Sequence, residues 1–192
     1  MPKFIVDFFP NVANYWDIFL TALTATYQMF FIAGLITLLI GGAFGISLIV
    51  TKTDGIKPNR IIHFILEVIT NVFRAVPFII LLIFLIPLTR SIAGTSIGVK
   101  GAVVPLVFGA VPFYTRQVET ALADVNPGKI EAARSMGSST LGTIFRVYLH
   151  EALPDLIRVT TITAISLIGL TTSAGAVGAG GIGSFAINYG QN

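Results

Sequence analysis

The sequence contains no cysteine, which excludes disulfides, thiolate metal sites and thiol catalysis. Charge is scarce too. Asp, Glu, Lys and Arg make up 11% of the residues, against about 25% in an ordinary soluble domain. Histidine occurs twice, as His63 and His150, and no His-x-x-Glu-His grouping exists. No G-x-x-x-x-G-K-[ST] loop is present, so the chain cannot hydrolyse ATP by that route. The opening stretch MPKFIVDFFPNVANYWD carries two acidic residues and no small-residue cleavage site, so it does not read as a secretory signal. A formal net charge of +3 is weak support for a nucleic-acid partner, and none is expected. What is abundant is apolar. Hydrophobic residues make up 54% of the chain and the mean hydropathy is +0.86. Such a chain cannot cover a water-facing surface with polar groups, so it fits a bilayer, as an all-α bundle of transmembrane helices.

The few charges divide the sequence. No residue between Asp17 and Lys52 is charged, and Tyr15 and Trp16 stand at its start as an aromatic belt would. This predicts a first span over about 18–50, preceded by an N-terminal segment, 1–16, outside the membrane. Gly41 and Gly45 form a small-xxx-small pair there. It serves close helix packing, or simply reflects the glycine content of membrane helices. A second span is predicted over about 61–89, kinked at Pro77 and Pro87. A third covers about 101–123 with Pro105 and Pro112 inside it, and a fourth about 157–178. Lys52, Lys57 and Arg60 in one connection, with Lys129, Arg134, Arg146 and Arg158 in the 124–158 stretch, outnumber Lys3, Arg90 and Lys100 on the other side. By the positive-inside bias the first group is cytoplasmic and the N-terminus is outside.

The stretch NPGKIEAARSMGSSTLGTIFRVYLHEALPD, 126–155, interrupts this pattern with polar sequence. Asn126-Pro127-Gly128 is a turn, KIEAARSM is rich in helix formers, and Gly137 stands where a C′ glycine ends a helix. Ser138 and Ser139 are candidate caps for a second helix, and Pro154 marks a restart, with Leu153 biased away from helical geometry. Two short cytoplasmic helices joined by a glycine turn follow, held between two membrane spans. From pattern alone this is either a docking knob for a cytoplasmic partner or an amphipathic hairpin lying on the membrane surface.

Glu131-Ala132-Ala133, then Gly137, then Leu153-Pro154 resembles the EAA motif of permease subunits of ATP-binding-cassette importers. Further stretches, NVFRAVPFIILL (71–82), IPLTRSIAGTSIG (86–98), VPLVFGAVPF (104–113), VETAL (118–122) and GAVGAGGIG (175–183), resemble the methionine-importer permeases in order and spacing. The likeness covers roughly residues 60–190. It implies that 17–192 is an importer transmembrane domain whose 124–155 loop is a coupling hairpin. Glu131, Ala132, Ala133 and Gly137 would then couple it to an ATPase. It further implies a bacterial inner-membrane permease that moves methionine inward by alternating access, with another amino acid or small polar solute as the alternative and the choice of L or D form left open. The implied partners are a second copy of the chain, two ATPase subunits that bind ATP and Mg, an extracytoplasmic methionine-binding protein and membrane lipid. The chain itself would be no enzyme and would hold no cofactor or metal. Members of the family have five spans, so a fifth helix is expected beyond Asn192. One departure is His150, where the family often has proline.

Charges at membrane depth mark a pathway or gate, or lie in the interface by snorkelling. Arg74 is such a charge, with Glu119 its candidate partner and Glu67 the alternative, while Arg116 and Glu119 read as an i, i+3 pair. Gly178-Ala179-Gly180-Gly181-Ile182-Gly183 is a literal G-x-G-x-x-G. The dinucleotide reading fails because no acidic residue follows Asp155 and the stretch follows an apolar span. Gly178, Gly180 and Gly183 are instead expected to serve close helix packing that gives way to irregular backbone at an outer gate or its hinge.

Overall fold

Proline and glycine set where the helices stop. In the computed structural model, which describes residues 10–190, no strand occurs among the described residues. The predicted N-terminal segment lies mostly outside them, as do Lys3 and Asn192. Helix α1 is Pro10–Asn14 and α2 is Trp16–Thr51. Helix α3, Arg60–Ala75, starts at Asn59, whose side chain accepts from the N–H groups of Ile61 and Ile62. It stops at Val76, which is extended (φ −86°, ψ 124°) because the ring of Pro77 disfavours helical geometry before it. Helices α4 (Phe78–Phe84) and α5 (Ile86–Ala93) follow, separated at Leu85, and Gly94 ends α5 in the left-handed region. The single kinked span expected over 61–89 is therefore three helices. Helix α6 is Gly98–Ala123, α7 Pro127–Ser135 and α8 Thr140–Thr143. A π turn, Ile144–Tyr148, leads into α9, Leu149–Glu151. Helix α10 is Leu153–Ala174. After an irregular turn, Gly175–Ala179, the chain becomes helical again as α11, Gly181–Tyr189. The glycine stretch thus leads back into helix after the irregular backbone expected there.

Among the described residues three helical segments are long and apolar enough to cross a membrane: Trp16–Thr51, Gly98–Ala123 and Leu153–Ala179, the last being α10 with the turn that follows it. The α3–α4 pair makes a fourth if counted as one broken span. Exposed Tyr27, Phe31, Ile32 and Leu35 on α2 are the side chains that lipid or another apolar surface would cover.

The chain divides into two compact units. The first takes residues 10–35, 77–108 and 166–190 of the described chain. Met29, Ala33, Leu106 and Leu167 are fully or almost fully buried in it. Phe19 meets Phe185 edge-on at 5.4 Å between ring centroids, and Tyr15 lies 4.5 Å from Tyr189.

The second unit takes 36–76 and 109–165. Its core joins Ile49 of α2, Tyr114, Val118, Ala121 and Leu122 of α6, Tyr148 and Ala152 of the hairpin, and Val159 of α10. Here Gly41 and Gly45 serve close packing. A Cβ on Gly45 would stand 2.7 Å from Val118 Cβ and 2.9 Å from the Thr115 carbonyl, and one on Gly41 would stand 3.0 Å from the Tyr114 ring. Thr115 Oγ1 donates to the Gly41 carbonyl at 3.3 Å, and the Tyr114 and Thr160 hydroxyls lie 2.9 Å apart. Small residues and hydroxyls bring α2, α6 and α10 together where lipid gives no hydrophobic drive for helix association.

Candidate coupling and gating sites

The hairpin is built by caps. Asn126 Oδ1 accepts from the Gly128 N–H at 2.8 Å, with Pro127 as the first residue of α7. At the other end Gly137 takes φ +80°, its N–H bonds the Arg134 carbonyl at 3.0 Å, and the Ser138 N–H bonds the Ala133 carbonyl at 3.0 Å. This is a Schellman closure, and the left-handed residue in it is the glycine the sequence placed there. Ser139 Oγ then accepts from the Gly142 N–H at 3.1 Å and opens α8. Leu153 is already the first residue of α10. The break falls one residue earlier, at Ala152 (φ −81°, ψ 0°), because Pro154 is tolerated in a first helical turn.

Around the π turn the apolar side chains divide between core and surface. Ile144 and Tyr148 are buried, while Leu141 and Phe145 are 67% and 64% exposed. Met136, beside the Schellman glycine, is 82% exposed. The tip therefore presents three large apolar side chains, with Ser139 and Arg146 among them. Ala132 and Glu131 are exposed, but Ala133 packs inward at 7%. Lys129 pairs with Glu151 and ties α7 to α9. Glu131 and Arg134 line a cavity of about 150 Å³ with Lys52, Asp54 and Tyr148. Lys52, hydrogen-bonded to Asp54 at 3.2 Å, holds that carboxyl below its usual range. Burial pushes the Tyr148 hydroxyl up, the Asp54 charge adds to this, and Arg134 opposes it.

Arg74 is exposed in the last turn of α3 and has no ion pair or hydrogen bond among the described residues. Its charge there suits the negative end of the helix dipole. The partner expected for it, Glu119, is held instead by Arg116 at 2.6 Å. Arg116 also donates to Asn71 Oδ1 at 2.9 Å and stands 3.7 Å from Glu67. Sequence reading paired Arg116 with Glu119 and missed the link to α3. The signal was the stripe His63, Glu67, Asn71, spaced four residues apart along one helix face.

Gly178 (φ +97°), Gly180 (φ +78°) and Gly181 (φ +77°) reverse the chain between α10 and α11. The helices are then in backbone contact: a Cβ on Gly183 would lie 2.0 Å from the Thr172 carbonyl. A Cβ on Gly175 would lie 2.6 Å from the Gly180 carbonyl. The stretch follows a helix and not a strand, so the fold lacks the βαβ frame of a dinucleotide site. Among the described residues no three His, Asp or Glu side chains group into a metal site.

Residues 41–192 match the family described as the inner membrane component of binding-protein-dependent transport systems. The chain belongs to this family. It is a transport permease of the inner membrane and not a catalyst. It is 42% identical over 174 residues to the probable D-methionine transport system permease protein MetI of Vibrio cholerae, covering 91% of this chain and 77% of that protein. With the D-methionine permease MetI of Escherichia coli K12 the identity is 46% over 150 residues, 78% of this chain and 69% of that one. Among solved structures it is similar to the MetNI methionine ABC transporter in an inward-facing conformation. That likeness has a TM-score of 0.89 and 42% identity over 93% of this chain and 82% of that one. An amino acid ABC transporter crystallised with histidines shares the fold at a TM-score of 0.75 and 18% identity.

Proposed function

We propose that this chain is the membrane-spanning subunit of an ATP-driven methionine importer. The identity of 42–46% to permeases named for D-methionine transport carries the reading. Two copies would form the pathway. Two ATPase subunits, holding ATP and Mg, would supply the energy, and an extracytoplasmic binding protein would deliver substrate. The N-terminus would lie outside, and ATP binding would shift the balance between outward- and inward-facing states.

The coupling contact would be the hairpin. Glu131 and Ala132 are exposed to a partner, Ala133 seats α7 on the permease core, and Gly137 sets the turn. The exposed Met136, Leu141 and Phe145 extend this surface beyond the residues of the sequence motif, as apolar anchors with a polar rim. Gly178, Gly180 and Gly183 would form the outer gate or its hinge. Exposed Arg74 would stand at the pathway's edge, and Glu119 would act through Arg116.

The test is ATP-dependent uptake of labelled methionine in cells that lack their own importers and express this permease with its partner subunits. Uptake competed by unlabelled methionine is expected. Failure with methionine, together with uptake of a different amino acid, would assign the permease to that solute.

A further inference from the structure

Helix α3 is poorly held by packing. Ile61, Phe64, Ile65, Val68 and Val72 are all exposed, and Thr70 is its one buried residue. Its other side packs through buried Thr70 and half-buried Leu66 and Phe73, and beside these a polar stripe meets α6. Arg116 of α6 donates to Asn71 Oδ1 at 2.9 Å and stands 3.7 Å from Glu67 Oε1, while its other arm holds Glu119 at 2.6 Å. The Arg116 and Glu119 side chains are only 25% and 17% exposed, so their attraction is less screened than that of a surface pair. On α3, His63 continues the contact: Nε2 is 3.9 Å from Glu67 Oε2, and Nδ1 is 3.1 Å from the Leu48 carbonyl of α2.

From Arg116 the route to the hairpin is short and close-packed. The next turns of α6 place Val118, Ala121 and Leu122 in one core with Tyr148 and Ala152 of the hairpin. Helix α6 ends at Ala123, and Asn126 caps α7. Close-packed interiors have low compressibility and transmit strain. Displacement of α7 is thereby carried along α6 to Arg116, whose contacts with Glu67 and Asn71 add to the packing at Thr70 in passing it to α3.

We propose that Arg116, Glu67 and Asn71 are positioning residues for transport: they make α3 move with the coupling hairpin, so that ATP-driven displacement of the hairpin reaches the α3 segment of the permease. This rests on the reading of the chain as the permease of an ATP-driven importer.

The paired substitution Glu67→Leu with Asn71→Leu removes the link but leaves Arg116 its partner Glu119. Wild type and variant are reconstituted with the ATPase and binding protein in vesicles, and methionine uptake and ATP hydrolysis are measured in the same vesicles. Uptake per ATP is expected to fall about tenfold, within the usual range of coupling between sites, while ATPase co-purification is unchanged. An unchanged ratio overturns the inference. The absence of cysteine permits a second arm. Asn71→Cys with Arg116→Cys is expected to show the same uncoupling, relieved when a reducible bifunctional thiol reagent bridges the pair and restored on reduction. A bridged pair that stays uncoupled also overturns the inference, and this arm decides alone if the leucine variant fails to assemble. A wild-type complex with no ATP-driven uptake would instead count against the proposed function.

Discussion

The Thr26 hydroxyl accepts a hydrogen bond from the Ile182 N–H at 2.9 Å while donating to the Ala22 carbonyl at 3.1 Å. Helix α11 has Gly180 at its N-cap position, with no side chain to cap it, so the cap comes from α2. Gly181 makes this possible: a Cβ there would stand 2.7 Å from the same hydroxyl.

Thr26→Val removes the acceptor and leaves a partly buried N–H unpaired, at a cost of about 1–3 kcal/mol. Amide exchange of the first turn of α11 is expected to rise by about tenfold or more, by the same energy. Thr26→Ser keeps the oxygen and is expected to exchange like wild type. Equal exchange in Thr26→Val would show that the cap does not hold the helix.

Gly137 and Gly183 are predicted to fail in different ways. Gly137→Val forces a β-branched residue to φ +80°, costing about 1–2 kcal/mol or more, and opens the Schellman closure. Co-purification of the ATPase and uptake should fall together. Gly183→Val drives a side chain into the Thr172 carbonyl, far from the hairpin in sequence. Uptake should be lost while ATPase binding persists. The same loss of binding in both variants would remove the distinction between a coupling and a gating glycine.

Tyr148 supplies a pH dependence. Burial favours its neutral phenol, so its proton leaves above the ordinary value of 10.0. Its contribution to hairpin stability is complete below that value and fades as pH rises through the raised one. Ultraviolet titration should show a late-ionising tyrosine that is absent in Tyr148→Phe, and that variant's hairpin should persist to higher pH. A titration unaltered by the substitution would contradict the burial argument.

Much of the fold was legible because local rules decide it. Asn126, Gly137 and Ser139 cap or close helices through groups a few residues away, and Pro77 acts on its immediate neighbour. The glycine pair 41 and 45 was readable as a motif, but its use became clear only once Val118 was seen against it. The partner of Arg74 was misread because a pairing between α3 and α6 depends on how each helix is rotated about its axis. Charge and spacing do not report that rotation, whereas the Arg116–Glu119 pair on one helix follows from spacing alone. The π turn was illegible for a related reason. It adds a residue to one turn, and nothing in the local sequence IFRVY announces it.

The closure at Gly137 is made by backbone groups of Ala133, Arg134 and Ser138, none of which uses a side-chain atom. The shape of the tip is thus separable from its chemistry. On the proposed reading of the tip as the ATPase contact, Met136, Leu141 and Phe145 can be exchanged for side chains suited to a different ATPase while the knob keeps its outline.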